Sequence, residues 1–200
     1  MITELLPLTE NKLKILKFIY EQKETHLQEI ARKLSIHPYS VQKTLKTLKP
    51  ALEQQQAGKT ILLKINTTSP KSSELISTVE SYKQQTPNKT TRLLIKKLQE
   101  LYSDSSNILA IILFGSYARS ASTESSDIDL LVIAKKKEKE ITTKCTNLES
   151  LIGKEINPSI MNEKEFTQAL SIKEPTMKTI IEPSQRIIMV GIDYFLKKTG

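Results

Sequence analysis

The chain has 200 residues, 38 % of them hydrophobic, and a formal net charge of +8, a size that fits one large domain or two small ones. Residues up to Tyr102 carry 17 Lys and Arg against 9 Asp and Glu, whereas the remainder carries 13 of each, so the whole excess lies in the first half. That asymmetry points to a basic module that meets a polyanion, joined to a neutral module with separate work. The longest apolar run, Ile108 to Phe114, is too short to cross a bilayer, and the opening residues lack the basic and apolar stretches of a secretory signal. Cys145 stands alone, which excludes an intrachain disulfide, and no Cys/His cluster suggests zinc. A soluble cytoplasmic protein is expected.

In chain order, the first 66 residues read as three helices and a hairpin. Thr9 can cap a helix carrying Leu13, Leu16, Ile19 and Tyr20 on one side. Thr25-x-x-Gln28 has capping-box spacing, and Leu27, Ile30, Ala31 and Leu34 follow at helical intervals. His26 and His37 flank this helix without metal-ligand spacing and read as capping or surface residues. Pro38 suits the first position of a third helix, which buries Val41, Leu45 and Leu48 and exposes Tyr39, Gln42, Lys43, Lys46 and Lys49. Leu52 to Gln56, a turn at Ala57-Gly58-Lys59, and Thr60 to Ile65 complete a β-hairpin. This order is that of a winged helix-turn-helix (1–66). It places Tyr39, Ser40, Gln42 and Lys43 nearest DNA base edges, with Lys46 and Lys59 nearer phosphate. An ordinary solvated helix face in a protein–protein module is the bland alternative.

Residues 67–88 read as a helical linker. Thr67, Thr68, Ser69 and Pro70 open it, Ser72 to Gln85 forms a modest helix, and Thr86-Pro87-Asn88 breaks it and can cap the next. Leu94, Leu98, Leu101 and Tyr102 recur at helical spacing in that next helix, which begins a domain over 89–200. Strands are expected at Ile108 to Phe114, Asp127 to Ala134, Glu155 to Met161 and Arg186 to Val190. Between them, an amphipathic helix from Lys137 to Ile152 carries Ile141, Cys145, Leu148 and Leu151 on one stripe and stops at Gly153. Shorter helices start at Asn162 with Glu165 and at Pro175. Lys135-Lys136-Lys137 follows a strand directly and reads as a solvated turn or a phosphate contact. The whole is α+β, with a small mixed sheet in the second domain.

The chemistry lies in Leu113-Phe114-Gly115-Ser116-Tyr117-Ala118-Arg119 and Ser126-Asp127-Ile128-Asp129-Leu130-Leu131-Val132. A buried strand ends at Phe114, and Gly115-Ser116 turns into a helix start whose free N–H groups and hydroxyl can cradle an anion. Asp127 and Asp129 lie two apart, so on a strand both carboxylates leave one face. They repel unless a cation sits between them, and a hard cation such as Mg²⁺ suits such ligands.

Gly115-Ser116 followed eleven residues later by Asp127-x-Asp129 resembles the signature of the DNA polymerase beta-like nucleotidyltransferases, and the fuller string looks like their minimal branch. The resemblance, over about residues 89–200, implies Mg²⁺- or Mn²⁺-dependent transfer of a nucleoside monophosphate from an NTP to an acceptor hydroxyl. It implies that Gly115 and Ser116 hold the triphosphate, that Asp127 and Asp129 hold metal, and that Arg119 supports the loop or a phosphate. The family's third carboxylate falls at Asn157, an amide that can ligate weakly but cannot take a hydroxyl proton at neutral pH. Glu155, on the same strand face, lies roughly 6.6 Å along and could stand in if the strand shifts. Two functions follow. One is an enzyme that modifies a protein, RNA or small molecule, recruited or regulated through DNA. The other is a DNA-binding regulator whose second domain binds nucleotide and turns over poorly; either could act as a homodimer on a palindromic site.

Overall fold

The computed structural model describes residues 8–67, 72–102, 105–136 and 139–199; Thr68, Ser69 and Pro70 of the expected linker, and Lys137, lie outside these. The chain divides into two compact units, Met1–Tyr82 and Lys83–Gly200. No helix among the described residues is long and apolar enough to cross a membrane.

The first unit begins with α1 (Glu10–Gln22), whose N-terminus Thr9 caps by accepting the Lys12 N–H at 3.4 Å. A two-residue strand β1 (Thr25–His26), α2 (Leu27–Leu34) and α3 (Pro38–Leu48) follow. The start of α2 differs from the expected capping box. Thr25 is drawn into β1 by pairing with Leu63, and its hydroxyl donates to Glu29 at 2.8 Å. His26 takes the cap position instead, its Nδ1 accepting the Glu29 N–H. His37 does the same for α3, with Pro38 at the first helical position.

Strands β2 (Leu52–Ala57) and β3 (Thr60–Ile65) form the hairpin, in register from Leu52↔Ile65 to Ala57↔Thr60. The turn is therefore two residues, Gly58-Lys59, with Gly58 at φ +59, the left-handed geometry that matches the strand twist. The sheet order is β1-β3-β2. Ile15, Leu16, Ile19, Ile30, Val41 and Leu48 fill the core, joined by Leu75 and Val79 of α4 (Ser72–Lys83). Leu13, expected on the buried side of α1, is only half-buried; Ile15 takes that place.

In the second unit, Asn88 caps α5 (Lys89–Tyr102), its Oδ1 accepting the Thr91 N–H at 2.9 Å. Then come β4 (Ile108–Phe114), α6 (Gly115–Ala118), β5 (Ile128–Ala134), α7 (Lys139–Ile152), β6 (Ile156–Asn162), α8 (Glu163–Ser171), α9 (Pro175–Ile181), β7 (Ile187–Val190) and α10 (Ile192–Thr199). The sheet runs β6-β5-β4-β7, with β5 and β6 parallel and the other pairs antiparallel. Both faces are covered. On one, Ile111, Leu113, Leu130 and Val132 meet Leu94 and Leu98 of α5 and Ile141 and Leu148 of α7. On the other, Ile112, Leu131 and Ile133 meet Phe166, Ile180 and Phe195 from α8, α9 and α10. Burial on both sides is why β4 and β5 read as unbroken apolar runs rather than alternating ones.

One stripe residue proves misassigned: Leu151, near the end of α7, is 58 % exposed. Gly153, at φ +70, closes α7 through its N–H to Glu149 O at 2.7 Å. Asn162 and Glu165 form a reciprocal capping box at α8, as the sequence suggests.

Candidate functional site

Two central strands build the site. β4 ends at Phe114, paired with Asp129 on β5, and Gly115 turns the chain at φ +72 into the single turn of α6. A Cβ at Gly115 would lie 2.2 Å from Asp129 Oδ2. The Asp129 carboxylate thus rests against bare backbone, in space that only glycine leaves open.

Asp129 is half-buried and Asp127 exposed. Asp127 stands one residue before β5 rather than on it, because the preceding loop meets the sheet only at Ile128, whose N–H donates to Glu155 O at 2.9 Å. The two carboxylates still interact. Burial raises the Asp129 pKa above the usual carboxylate range, the Asp127 charge raises it further, and the Arg119 guanidinium opposes both. A cation between the two would relieve what burial and Asp127 impose.

Across the parallel ladder Asn157 pairs with Asp129, and its Nδ2 lies 3.5 Å from Asp127 Oδ2. Asn157 therefore completes a trio with the two aspartates. Glu155, exposed, precedes β6 by one residue. No group of three or more His, Cys, Asp or Glu gathers for a metal among the described residues. The donor set is two carboxylates and an amide, which fits a weakly held hard cation with positions left for ligand oxygens.

Ser116 is half-buried in α6, its carbonyl accepting the Ala121 N–H at 2.9 Å. Arg119, exposed at the end of α6, donates to Gln185 Oε1 at 3.4 Å. Lys154 donates to the Glu124 carbonyl and steadies the loop leading to Asp127. Neither Gln185 nor Lys154 carried a sequence signal, because both act through contacts distant along the chain.

In the first unit the outer face of α3 presents Tyr39, Ser40, Gln42, Lys43 and Lys46, all exposed, with Tyr39 at 68 %. Lys59 projects from the hairpin turn. A cleft of about 560 Å³ between α3 and the hairpin is lined by Gln42, Lys46, Lys49 and Lys59 among others.

Residues 96–189 match the family described as polymerase beta, nucleotidyltransferase. This segment is a nucleotidyltransferase-like domain, built on a small mixed sheet. Two proteins of Methanocaldococcus jannaschii are similar to this chain, both named "Putative protein adenylyltransferase". One is 51 % identical over 41 residues, 20 % of this chain and 26 % of its own length; the other is 39 % identical over 64 residues, 32 % and 64 %. The chain thus spans about a quarter of the first and less than two thirds of the second. A solved structure described as "Crystal structure of the toxin-antitoxin with AMP-PNP" covers 52 % of this chain and 82 % of its own, at 20 % identity and a TM-score of 0.37.

Proposed function

We propose that the second unit transfers a nucleoside monophosphate from an NTP to an acceptor hydroxyl, the α–β phosphoanhydride bond breaking and pyrophosphate leaving, and that the first unit binds DNA as a winged helix. The observation that carries the first part is the Asp129 carboxylate seated against Gly115, with Asp127 beside it. Such a junction brings a strand-end carboxylate pair next to backbone that a phosphate can approach closely. Asp127 and Asp129 would hold Mg²⁺ or Mn²⁺, with Asn157 as a weak third donor. When bound, that ion offsets charge on the triphosphate. Gly115 and Ser116 position the phosphates, and Arg119 supplies a fixed positive charge beside them. With Asn157 in the third place, the acceptor's proton passes to solvent rather than to a side chain of the trio. The names of the two relatives favour ATP as donor and a protein as acceptor.

The DNA reading rests on the exposed Tyr39, Ser40, Gln42, Lys43 and Lys46 face of α3, with Lys59 at the hairpin tip. The helix lies in the major groove and the hairpin turn reaches the adjacent backbone. A second reading draws on Asn157: the chain is a DNA-binding regulator that binds nucleotide with little turnover. Incubation with labelled NTPs, Mg²⁺ or Mn²⁺ and cell extract separates the two. A labelled product supports the enzyme. Nucleotide binding without any product supports the regulator, and absence of both sinks the nucleotide reading.

A further inference from the structure

We infer that Gln185 is a positioning residue that aims Arg119 at the nucleotide phosphates, an inference that rests on the nucleotide reading above. Two cations are buried beside the end of α9. Lys83 is 2 % and Arg186 3 % exposed, and sealing a cation from water is costly unless its donors are met. Lys83 Nζ donates to Pro183 O at 2.6 Å. Arg186 donates to Ile180 O at 3.3 Å and to Ile181 O, and its guanidinium lies over the Phe195 ring at 5.0 Å. Both cations therefore hold backbone carbonyls of residues 180–183, where α9 ends.

The result is a fixed 3₁₀ turn, Pro183–Gln185, closed by the Gln185 N–H to Glu182 O at 3.0 Å. Within it the Gln185 side chain is bonded at both ends of its amide. Its Nε2 donates to Ser184 Oγ at 3.3 Å, which leaves Oε1 to accept from Arg119 at 3.4 Å. Arg119 caps the end of α6, the single turn that begins at Gly115 and Ser116, so this bond ties its guanidinium to the turn on the element proposed to hold the phosphates. A long, exposed arginine would otherwise sample many rotamers and lose that freedom on binding. Gln185 confines it beforehand.

The test is ATP binding by calorimetry in Mg²⁺, on wild type, Gln185→Met, Arg119→Ala and the double variant. Methionine keeps the length of the side chain and removes the acceptor. Gln185→Met should weaken ATP binding about three- to tenfold, the worth of one net hydrogen bond, with its melting temperature near that of wild type. In the Arg119→Ala background the same substitution should cost nothing further, because the partner is gone. Unchanged affinity in Gln185→Met, or an equal loss with and without Arg119, overturns the inference while the nucleotide reading stands. Failure of wild type itself to bind ATP overturns both.

Discussion

Gly115 and Asp129 share one small volume, and their relation is the most exacting feature at the residue scale. A methyl group on Gly115 would meet Asp129 Oδ2 at 2.2 Å, and the backbone there has φ +72. Gly115→Ala should cost about 1–3 kcal/mol from the left-handed backbone alone, and the displaced carboxylate should abolish nucleotide binding. Melting and calorimetry on the variant check both; binding at wild-type affinity would refute the placement of the site. Asn157 invites the opposite experiment. Asn157→Asp adds a carboxylate beside Asp127 and Asp129, so without metal the variant should melt below wild type and Mg²⁺ should restore it. Transfer should rise by ~10²–10⁴ if proton removal limits it. No gain over an already active wild type would show that Asn157 is not the vacant position. This pair of residues was legible because a glycine at a strand end and two aspartates at fixed spacing constrain the backbone locally. Asp127 lying off the strand was not legible, since it depends on where Glu155 O meets Ile128.

At the scale of elements, α7 offers the clearest test. Ile141, Cys145 and Leu148 form its buried stripe against β5 and α5, and Leu148→Ala should destabilise the protein by about 2–5 kcal/mol. Cys145 reports on the same packing. Burial first, and the Glu149 charge second, raise its thiol pKa from 9.0 to about 11. The folded state thus favours the protonated thiol; this stabilisation is full below pH 9 and is lost as pH rises towards 11. As the only cysteine, it should react with a thiol reagent at pH 8 slowly in buffer and rapidly in denaturant. Fast native labelling would contradict the buried stripe. Periodicity made α7 readable, whereas α10 escaped it. α10 follows Gly191, where a Cβ would lie 1.9 Å from Leu109 O, a tertiary closeness that no local pattern encodes. His26 became the α2 cap because β3 recruits Thr25 from 38 residues away in the register Thr25↔Leu63.

For the whole molecule, the charge map and the two units make one joint prediction. The excess of +8 falls entirely on residues up to Tyr102, and the carboxylate pair falls in the unit from Lys83 onward. If the α3 face and the hairpin tip meet DNA, Lys46→Ala and Lys59→Ala should each lower the salt slope of DNA binding by about one unit, because each lysine releases about one counterion. The loss should be similar for every sequence tested, since phosphate contacts carry no base information. Gln42→Ala should instead narrow the difference between sequences by about 1–3 kcal/mol at one base pair and leave the salt slope unchanged. Asp129→Ala should leave both DNA properties intact and abolish nucleotide binding, while Lys46→Ala should lower the salt slope and leave nucleotide binding intact. Gel shifts across a salt series, paired with ATP calorimetry on the same preparations, measure all of these effects together. Equal slopes for wild type and both lysine variants would remove the DNA reading of the basic half, and its charge would then be that of an ordinary solvated surface.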